Sequence, residues 1–271
     1  MMVKTEPLRK IISLAVASAY VKNENSVSVL ILAKPESGKT TTMKEFALNN
    51  GIGWLSDVSY TGLLDCLEHI KQGTIKTLFI PDMLKPFVKK KDTATNFLTL
   101  LNEMIEEGVK TIKTFQKNID YGMFLRCNAV CAITSTDFFT AKGLLGGIGF
   151  ISRVIPFSYS YSINDINKIF KALMKNNSNE IEFQKLNLKK VKHVHLPPSL
   201  AEKIKSNITL HLVEKFKRRF GDQIYGFRLQ KNLQTLAKAS ALLRKSDKVT
   251  IKDVNELEKL SNWMNYDFKN L

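Results

Sequence analysis

The sequence predicts an α/β fold, a parallel sheet flanked by helices and followed by a smaller all-helical domain. Three observations predict it. Apolar runs too short for helices alternate with stretches of helical periodicity over roughly the first 160 residues. These runs end in turn or polar residues, as buried parallel strands do. From Asn164 onward strand-like runs give way to helical spacing.

In chain order, Leu8, Ile11, Ile12, Ala15 and Ala19 recur at helical spacing and predict an opening amphipathic helix, closed by the polar break Lys22-Asn23-Glu24-Asn25-Ser26. Val27 to Leu32 reads as a buried strand that runs into a turn, and Thr41 to Leu48 as the next helix, ended by Asn49-Asn50-Gly51. Gly53-Trp54-Leu55 and Val58-Ser59-Tyr60 form a short strand region. Leu63, Leu64, Leu67 and Ile70 mark a helix that stops at Gln72-Gly73. Thr77-Leu78-Phe79-Ile80 is a compact buried strand ending in Pro81-Asp82. After the basic loop Lys89-Lys90-Lys91, a helix from Thr95 to Glu107 turns Phe97, Leu98, Leu101, Met104 and Ile105 inward. Val109 to Phe115 and Tyr121 to Leu125 predict a hairpin, and Ala129-Val130-Cys131-Ala132-Ile133 a third buried strand before Thr134-Ser135-Thr136. The glycine-dense run from Gly143 to Gly149 leads to Arg153 and a last strand, Val154-Ile155-Pro156-Phe157.

The second part is helical. Ile204, Ile208, Leu212 and Phe216 are spaced by four, Leu229, Leu233, Leu236 and Ala237 share a face, and Thr250-Ile251-Lys252-Asp253 is close to a capping box. The expected division is a core over residues 1–160 and a basic helical domain over 161–271.

A chain of 271 residues with 44% hydrophobic and 24% charged residues can bury a sizeable core. No stretch approaches the roughly 18 apolar residues of a membrane span, and no signal-peptide pattern opens it. A cytoplasmic protein with no membrane partner is expected. Cys66, Cys127 and Cys131 lie in apolar contexts and read as core thiols, and His193 and His195 alternate beside Pro197-Pro198 without metal spacing, so no zinc site is expected. The formal net charge is +16, and residues 185–252 hold seventeen lysines and arginines against four acids. Such an excess repels itself unless nucleic acid or a membrane surface neutralises it, and contacts with DNA are expected at the backbone rather than by base reading.

The chemistry concentrates in the turn after the first strand, Ala33-Lys34-Pro35-Glu36-Ser37-Gly38-Lys39-Thr40-Thr41. A strand aiming a turn whose N–H groups converge ahead of a helix N-terminus is what a phosphate needs. Pro35, Glu36, Ser37, Gly38, Lys39, Thr40 and Thr41 are the candidate nucleotide-binding residues, with Lys39 directed at the β- and γ-phosphates and the Thr40 hydroxyl at Mg²⁺. Ala33 stands where the G-x-x-x-x-G-K-[ST] pattern has its first glycine, so it is expected at negative φ or in a remodelled loop.

With Asp82 after one strand, Thr134 after another, Arg153 before the last and Arg228 in the helical part, the order of parts resembles the AAA+ ATPases, over about residues 26–264. Within them it is most similar to the initiator, helicase-loader and MCM-like branches, on Glu106-Glu107-Gly108-Val109, Gly149-Phe150-Ile151-Ser152-Arg153, Phe227-Arg228 and Val249-Thr250 with Asp253-Val254. The resemblance implies ATP and Mg²⁺ as cofactors, a homo-oligomer with nucleotide between subunits, and a helicase or other replication partner. It makes Asp82 the acid that holds Mg²⁺ through water and Thr134 the polar group that orients attacking water, with Ser135 and Thr136 as alternatives. Arg153 becomes the arginine finger, worth on the order of 10³–10⁵ in rate, with Arg126 competing, and Arg228 the γ-phosphate reporter. By themselves Asp82 and Thr134 also fit ordinary strand-end caps. Met83 stands where the family has a glutamate to polarise water, and Glu103, Glu106 and Glu107 are the candidates to replace it. Three functions follow: an ATP-hydrolysing motor or loader on DNA, a nucleotide-gated DNA-binding switch with little turnover, or a remodeller of protein partners.

Overall fold

A computed structural model of the chain describes residues 5–87, 91–113, 118–174, 181–220 and 224–265. Lys89 and Lys90 of the basic loop and the tip of the expected hairpin, 114–117, lie outside the described residues. In chain order the elements are α1 (Glu6–Ser18), β1 (Ser28–Ala33), α2 (Lys39–Lys44), β2 (Gly51–Trp54), α3 (Tyr60–Lys71), β3 (Ile75–Ile80), α4 (Leu84–Phe87), α5 (Lys91–Ile105), β4 (Val109–Lys113), β5 (Asn118–Leu125), β6 (Asn128–Thr134), α6 (Ser135–Gly147), β7 (Val154–Ser158) and α7 (Ile163–Met174). Then come α8 (Pro198–Ile204), α9 (Leu210–Phe220), α10 (Phe227–Leu243) and α11 (Ile251–Ser261). A π-helical turn, Lys205–Thr209, joins α8 to α9 and keeps Ile204, Ile208, Leu212 and Phe216 buried.

Five strands form one parallel sheet in the order β2-β3-β6-β1-β7, while β4 and β5 pair as a separate antiparallel hairpin. Every residue of β1 is buried, as expected of a central strand covered on both faces. Its registers run Ala33 against Thr134 on one side and Ser28 against Val154 on the other. The C-terminal ends of β1, β3 and β6 therefore share one edge of the sheet, and Arg153, just ahead of Val154, lies at the other. The helix α1 packs on β1, on β6 and on α10.

Asn128 shows how the centre is held. It is fully buried; its amide donates to the carbonyls of Ala15 and Val27, both at 2.8 Å, and its carbonyl accepts from Thr77 Oγ1 at 2.8 Å. One side chain thus satisfies its polar atoms by joining α1, the start of β1 and β3. The helical part is tied to this core through Glu24, which receives Lys238 and Thr235, and through Lys10 and Glu256 at 2.7 Å. Its C-terminal segment folds back on β7, where Ser158 N donates to the Trp263 carbonyl at 2.8 Å and the indole stacks on Phe157.

Local differences from the sequence expectation have local causes. The α2 helix stops at Lys44 rather than Leu48: three successive threonines hold its first turns weakly, and Asn49 instead pins the following turns to the distant 184–186 segment through Gln184 O and Leu186 N. Val58-Ser59-Tyr60 is a helix start, not a strand, because the Ser59 hydroxyl accepts from Gly62 N and caps α3. Gly143, Gly146 and Gly147 lie inside α6, whose cap at Thr134 sets its start. His193 and His195 form no strand; the segment makes only isolated bridges, Val21 with Lys192 and His195 with Lys248. Cys66, Cys127 and Cys131 are buried free thiols.

Candidate nucleotide site and arginine edge

The crevice beyond the carboxyl ends of the strands, beside β1 with β6 and β7 on either side, is where open parallel sheets bind ligands. The loop after β1 fills it. Ala33 remains in the strand, so the missing glycine costs nothing there; the left-handed backbone falls instead at Glu36, with φ +59°, and Gly38, with φ +86°. Two left-handed residues flanking Ser37 turn successive N–H groups toward one side, the arrangement that makes an anion nest. Lys34, Pro35, Glu36, Thr40 and Thr41 are exposed, while Ser37 and Lys39 are buried.

Lys39 is folded onto its own loop. Its ammonium donates to the Ala33 carbonyl at 2.9 Å, the Lys34 carbonyl at 2.8 Å and Ser37 Oγ at 3.2 Å. Burial pushes its pKa down to about 8 against the opposing pull of Asp137 and Asp82. Both carboxylates therefore lie within electrostatic reach of the lysine. Asp82 Oδ1 accepts from Leu84 N at 3.0 Å and caps the short turn that follows β3. With the Thr40 hydroxyl at the head of α2, these are hard oxygen donors of the kind Mg²⁺ takes.

Thr134 has a structural task. It caps α6, accepting from Asp137 N at 3.1 Å and donating to Asp137 Oδ2 at 2.5 Å. Asp137 was not legible as a site residue, although Thr134-Ser-Thr-Asp137 has the spacing of a capping box. Tyr159 and Tyr161, which reach the loop from beyond β7, carry no sequence signal.

Arg153 and Arg228 come together, but away from this crevice. Arg153 Nε lies 2.6 Å from Glu106 Oε2, and its Nη1 donates to the Gly149 carbonyl at 3.0 Å. Arg228 pairs with the other oxygen of the same carboxylate and donates through Nη1 to Ser152 Oγ at 3.2 Å. Gly149 is required beneath them: its φ is +72°, and a Cβ there would stand 2.7 Å from Arg153 Nη1. Because Val154 pairs with Ser28 while the loop leaves after Ala33, the arginine edge and the phosphate loop are separated by five strand residues, about 16 Å at roughly 3.3 Å each. Arg228 is therefore on the same edge as Arg153 and not beside Lys39 of its own chain. The rival Arg126 is on that edge too, engaged with the Glu107 carbonyl at 2.9 Å and Asn25 Oδ1 at 2.8 Å.

The same geometry corrects the expectation for the missing glutamate. The α5 helix runs back along the sheet, so that Met104 O meets Cys127 N at the entrance of β6. Glu103, Glu106 and Glu107 accordingly lie a strand length from Asp82, and Glu106 is committed to two arginines. Met83 is fully buried, its N donating to Ala132 O at 2.9 Å.

No protein-family model matches the sequence, and no curated protein matches it. Among solved structures, the fold is similar to the crystal structure of a full-length MCM homolog from Methanopyrus kandleri, with a TM-score of 0.53 and 13% identity over 97% of this chain. The chain spans 56% of that protein. At such identity the likeness is one of fold: an α/β core with a five-stranded parallel sheet, followed by a helical part. No helix among the described residues is long and apolar enough to cross a membrane.

Proposed function

We propose that this chain is an ATP-binding AAA+ module, cytoplasmic, that assembles head to tail and acts on DNA in replication or in the life cycle of a mobile element. Residues 33–41 hold the triphosphate, with Lys39 leaving its own carbonyls for the β- and γ-phosphates and Thr40 and Asp82 holding Mg²⁺, which supplies charge neutralisation when bound. Arg153 and Arg228 of one copy serve the phosphates held by the next. The observation that carries this reading is the pair of arginines on one carboxylate at the sheet edge opposite the loop: they are too far from Lys39 of their own chain to act there, and they are held as a unit, ready for a neighbour. Residues 1–160 are the nucleotide core and 161–271 the basic domain that meets the DNA backbone and a helicase-type partner.

A mixing experiment tests it. Lys39→Ala and Arg153→Ala chains, each inactive in ATP hydrolysis, regain turnover when combined, because the arginine of the first completes the loop of the second. Absence of recovery from chains that still assemble together overturns the proposal.

One observation favours a slower variant of the same function. With Met83 buried and Glu103, Glu106 and Glu107 at the far edge, none of the glutamates expected to replace the missing one stands beside Asp82 to polarise water. ATP then gates DNA binding with little turnover. Steady-state hydrolysis measured against bound nucleotide, with and without DNA, separates the two.

A further inference from the structure

We infer that Tyr159 and Tyr161 are positioning residues of the phosphate loop, which together fix the Ser37 carbonyl and tie the loop's conformation to α7. The inference rests on the nucleotide reading of residues 33–41. The Ser37 carbonyl accepts two phenol hydroxyls, from Tyr159 at 3.0 Å and from Tyr161 at 2.7 Å. A carbonyl oxygen has two lone pairs, and here both are used. This peptide lies between the two left-handed residues, Glu36 and Gly38, and a non-glycine residue in that region costs of order 1 kcal/mol or more unless its surroundings hold it. With the Ser37 carbonyl turned toward the tyrosines, the loop's N–H groups are left for an anion on the opposite side.

Both tyrosines are themselves fixed. Tyr159 is buried, its N donates to the Leu32 carbonyl and extends the β7 register along β1, and its ring meets that of Tyr161 edge to face at 5.9 Å. Burial raises the Tyr159 phenol well above the ordinary tyrosine range, so it remains a donor at any working pH. Tyr161 immediately precedes Ser162, whose N and Oγ donate to the buried Asp165 at 2.9 and 2.5 Å and cap the start of α7. Hydrogen bonds joined by the single peptide link from Tyr161 to Ser162 thus lead from the Ser37 peptide to α7, a helix that turns Ile163, Ile166, Phe170, Leu173 and Met174 to solvent. On the other side of the same residue, Lys39 holds the Ser37 hydroxyl. A phosphate that draws Lys39 away changes one grip on Ser37, and the tyrosines carry the change to α7.

The test uses Tyr159→Phe, Tyr161→Phe and the double variant, which keep the rings and remove only the hydroxyls. Hydrogen exchange of the ligand-free chain reports the clamp: peptides covering 33–41 and 163–174 exchange about tenfold faster in the double variant. Calorimetry with inorganic triphosphate and with MgATP reports positioning: affinity falls about tenfold in the double variant, and the protection of 163–174 that nucleotide gives the wild type is lost. If Tyr159→Phe does not fold, the half-exposed Tyr161→Phe still carries both measurements. Wild-type binding with unchanged affinity and unchanged α7 protection in the variants overturns the inference and leaves the nucleotide reading standing. Failure of the wild-type chain to bind either compound overturns both.

Discussion

Arg153 Nε lies 2.6 Å from Glu106 Oε2, an ion pair that ties the entrance of β7 to the end of α5, with both side chains about four-fifths buried. Glu106 is the shared anchor of Arg153 and Arg228, which predicts what its loss does. Glu106→Gln loosens both guanidiniums while leaving the loop 16 Å away, by the roughly 3.3 Å rise of each strand residue, untouched. ATP affinity is expected to stay within about twofold and turnover to fall at least about tenfold, as when a finger is mispositioned. Urea unfolding registers a loss of about 1–3 kcal/mol, the usual cost of leaving a partly buried charge without its partner.

Supplying a glutamate after Asp82, where AAA+ ATPases carry one, is not expected to help. Met83 is fully buried in the apolar core. Met83→Glu buries a carboxylate among apolar side chains and costs about 3 kcal/mol or more. Thermal unfolding shows the loss, and ATP turnover does not rise.

Lys39 gives the candidate nucleotide site a pH dependence of defined sign. Its pKa of about 8 lies below the ordinary 10.5, so the native chain releases this proton more easily than the unfolded one. The group therefore opposes folding below about pH 8, and that cost fades as pH rises toward the ordinary lysine range. Phosphate needs the ammonium, so ATP affinity is expected to be highest below about pH 8 and to fall by up to roughly tenfold per unit above it. Calorimetry in buffers of different ionisation enthalpy detects proton uptake on binding near pH 8, and Lys39→Met abolishes it.

Asp253 is the corresponding keystone of the helical part. It is buried and accepts from Arg244 Nε at 2.8 Å and Nη2 at 2.5 Å, from Thr250 N at 2.8 Å and from Ser240 Oγ at 2.8 Å. Burial works to raise its pKa, but the hydrogen bonds from Arg244, Thr250 and Ser240 outweigh it and leave the carboxyl below its usual value. The stability it contributes is present above the ordinary aspartate pKa and lost as pH falls through the lower native value. Asp253→Asn costs about 2–4 kcal/mol at pH 7 and flattens the acid limb of the stability curve measured by urea unfolding.

The basic helical part predicts a steep salt dependence of DNA binding. Lys205, Arg228, Lys238 and Arg244, four of the seventeen basic residues between 185 and 252, already have acidic partners. A set of six or more remaining phosphate contacts lowers affinity by about 10³-fold or more between 50 and 200 mM salt. A flat dependence removes the polyanion argument.

Much of this was legible in local pattern. The strands around Leu30, Phe79 and Val130 announce themselves because a strand buried on both faces is a short continuous apolar run, and the Thr250-to-Asp253 cap because it is completed within four residues. The loop was legible for the same reason: strand, turn and helix start are contiguous. The hairpin is legible as two runs of β-type residues, but its second strand begins at Asn118 rather than Tyr121, because Asn118, Ile119 and Asp120 pair with Lys113, Ile112 and Thr111 instead of forming the turn. The role of Glu106 was not legible, because its partners are 47 and 122 positions away and no local pattern couples them. Nor was that of Tyr159 and Tyr161, which meet Ser37 across more than 120 residues through the pairing of β7 with β1.

The sequence by itself determined an α/β core with a phosphate-type loop, a helical basic second part and the order in which the charged residues follow, since each depends on contiguous hydrophobic period, turn chemistry or composition. Only the tertiary structure decided which of those residues meet. Sheet order set β1 between β6 and β7, which brought Asp82 and Asp137 within reach of Lys39 and gathered Arg153 and Arg228 on Glu106 at the opposite edge. The physical reason is that strand register fixes the end of the sheet at which a residue lies, and register is a property of pairs of strands that no single stretch of sequence contains.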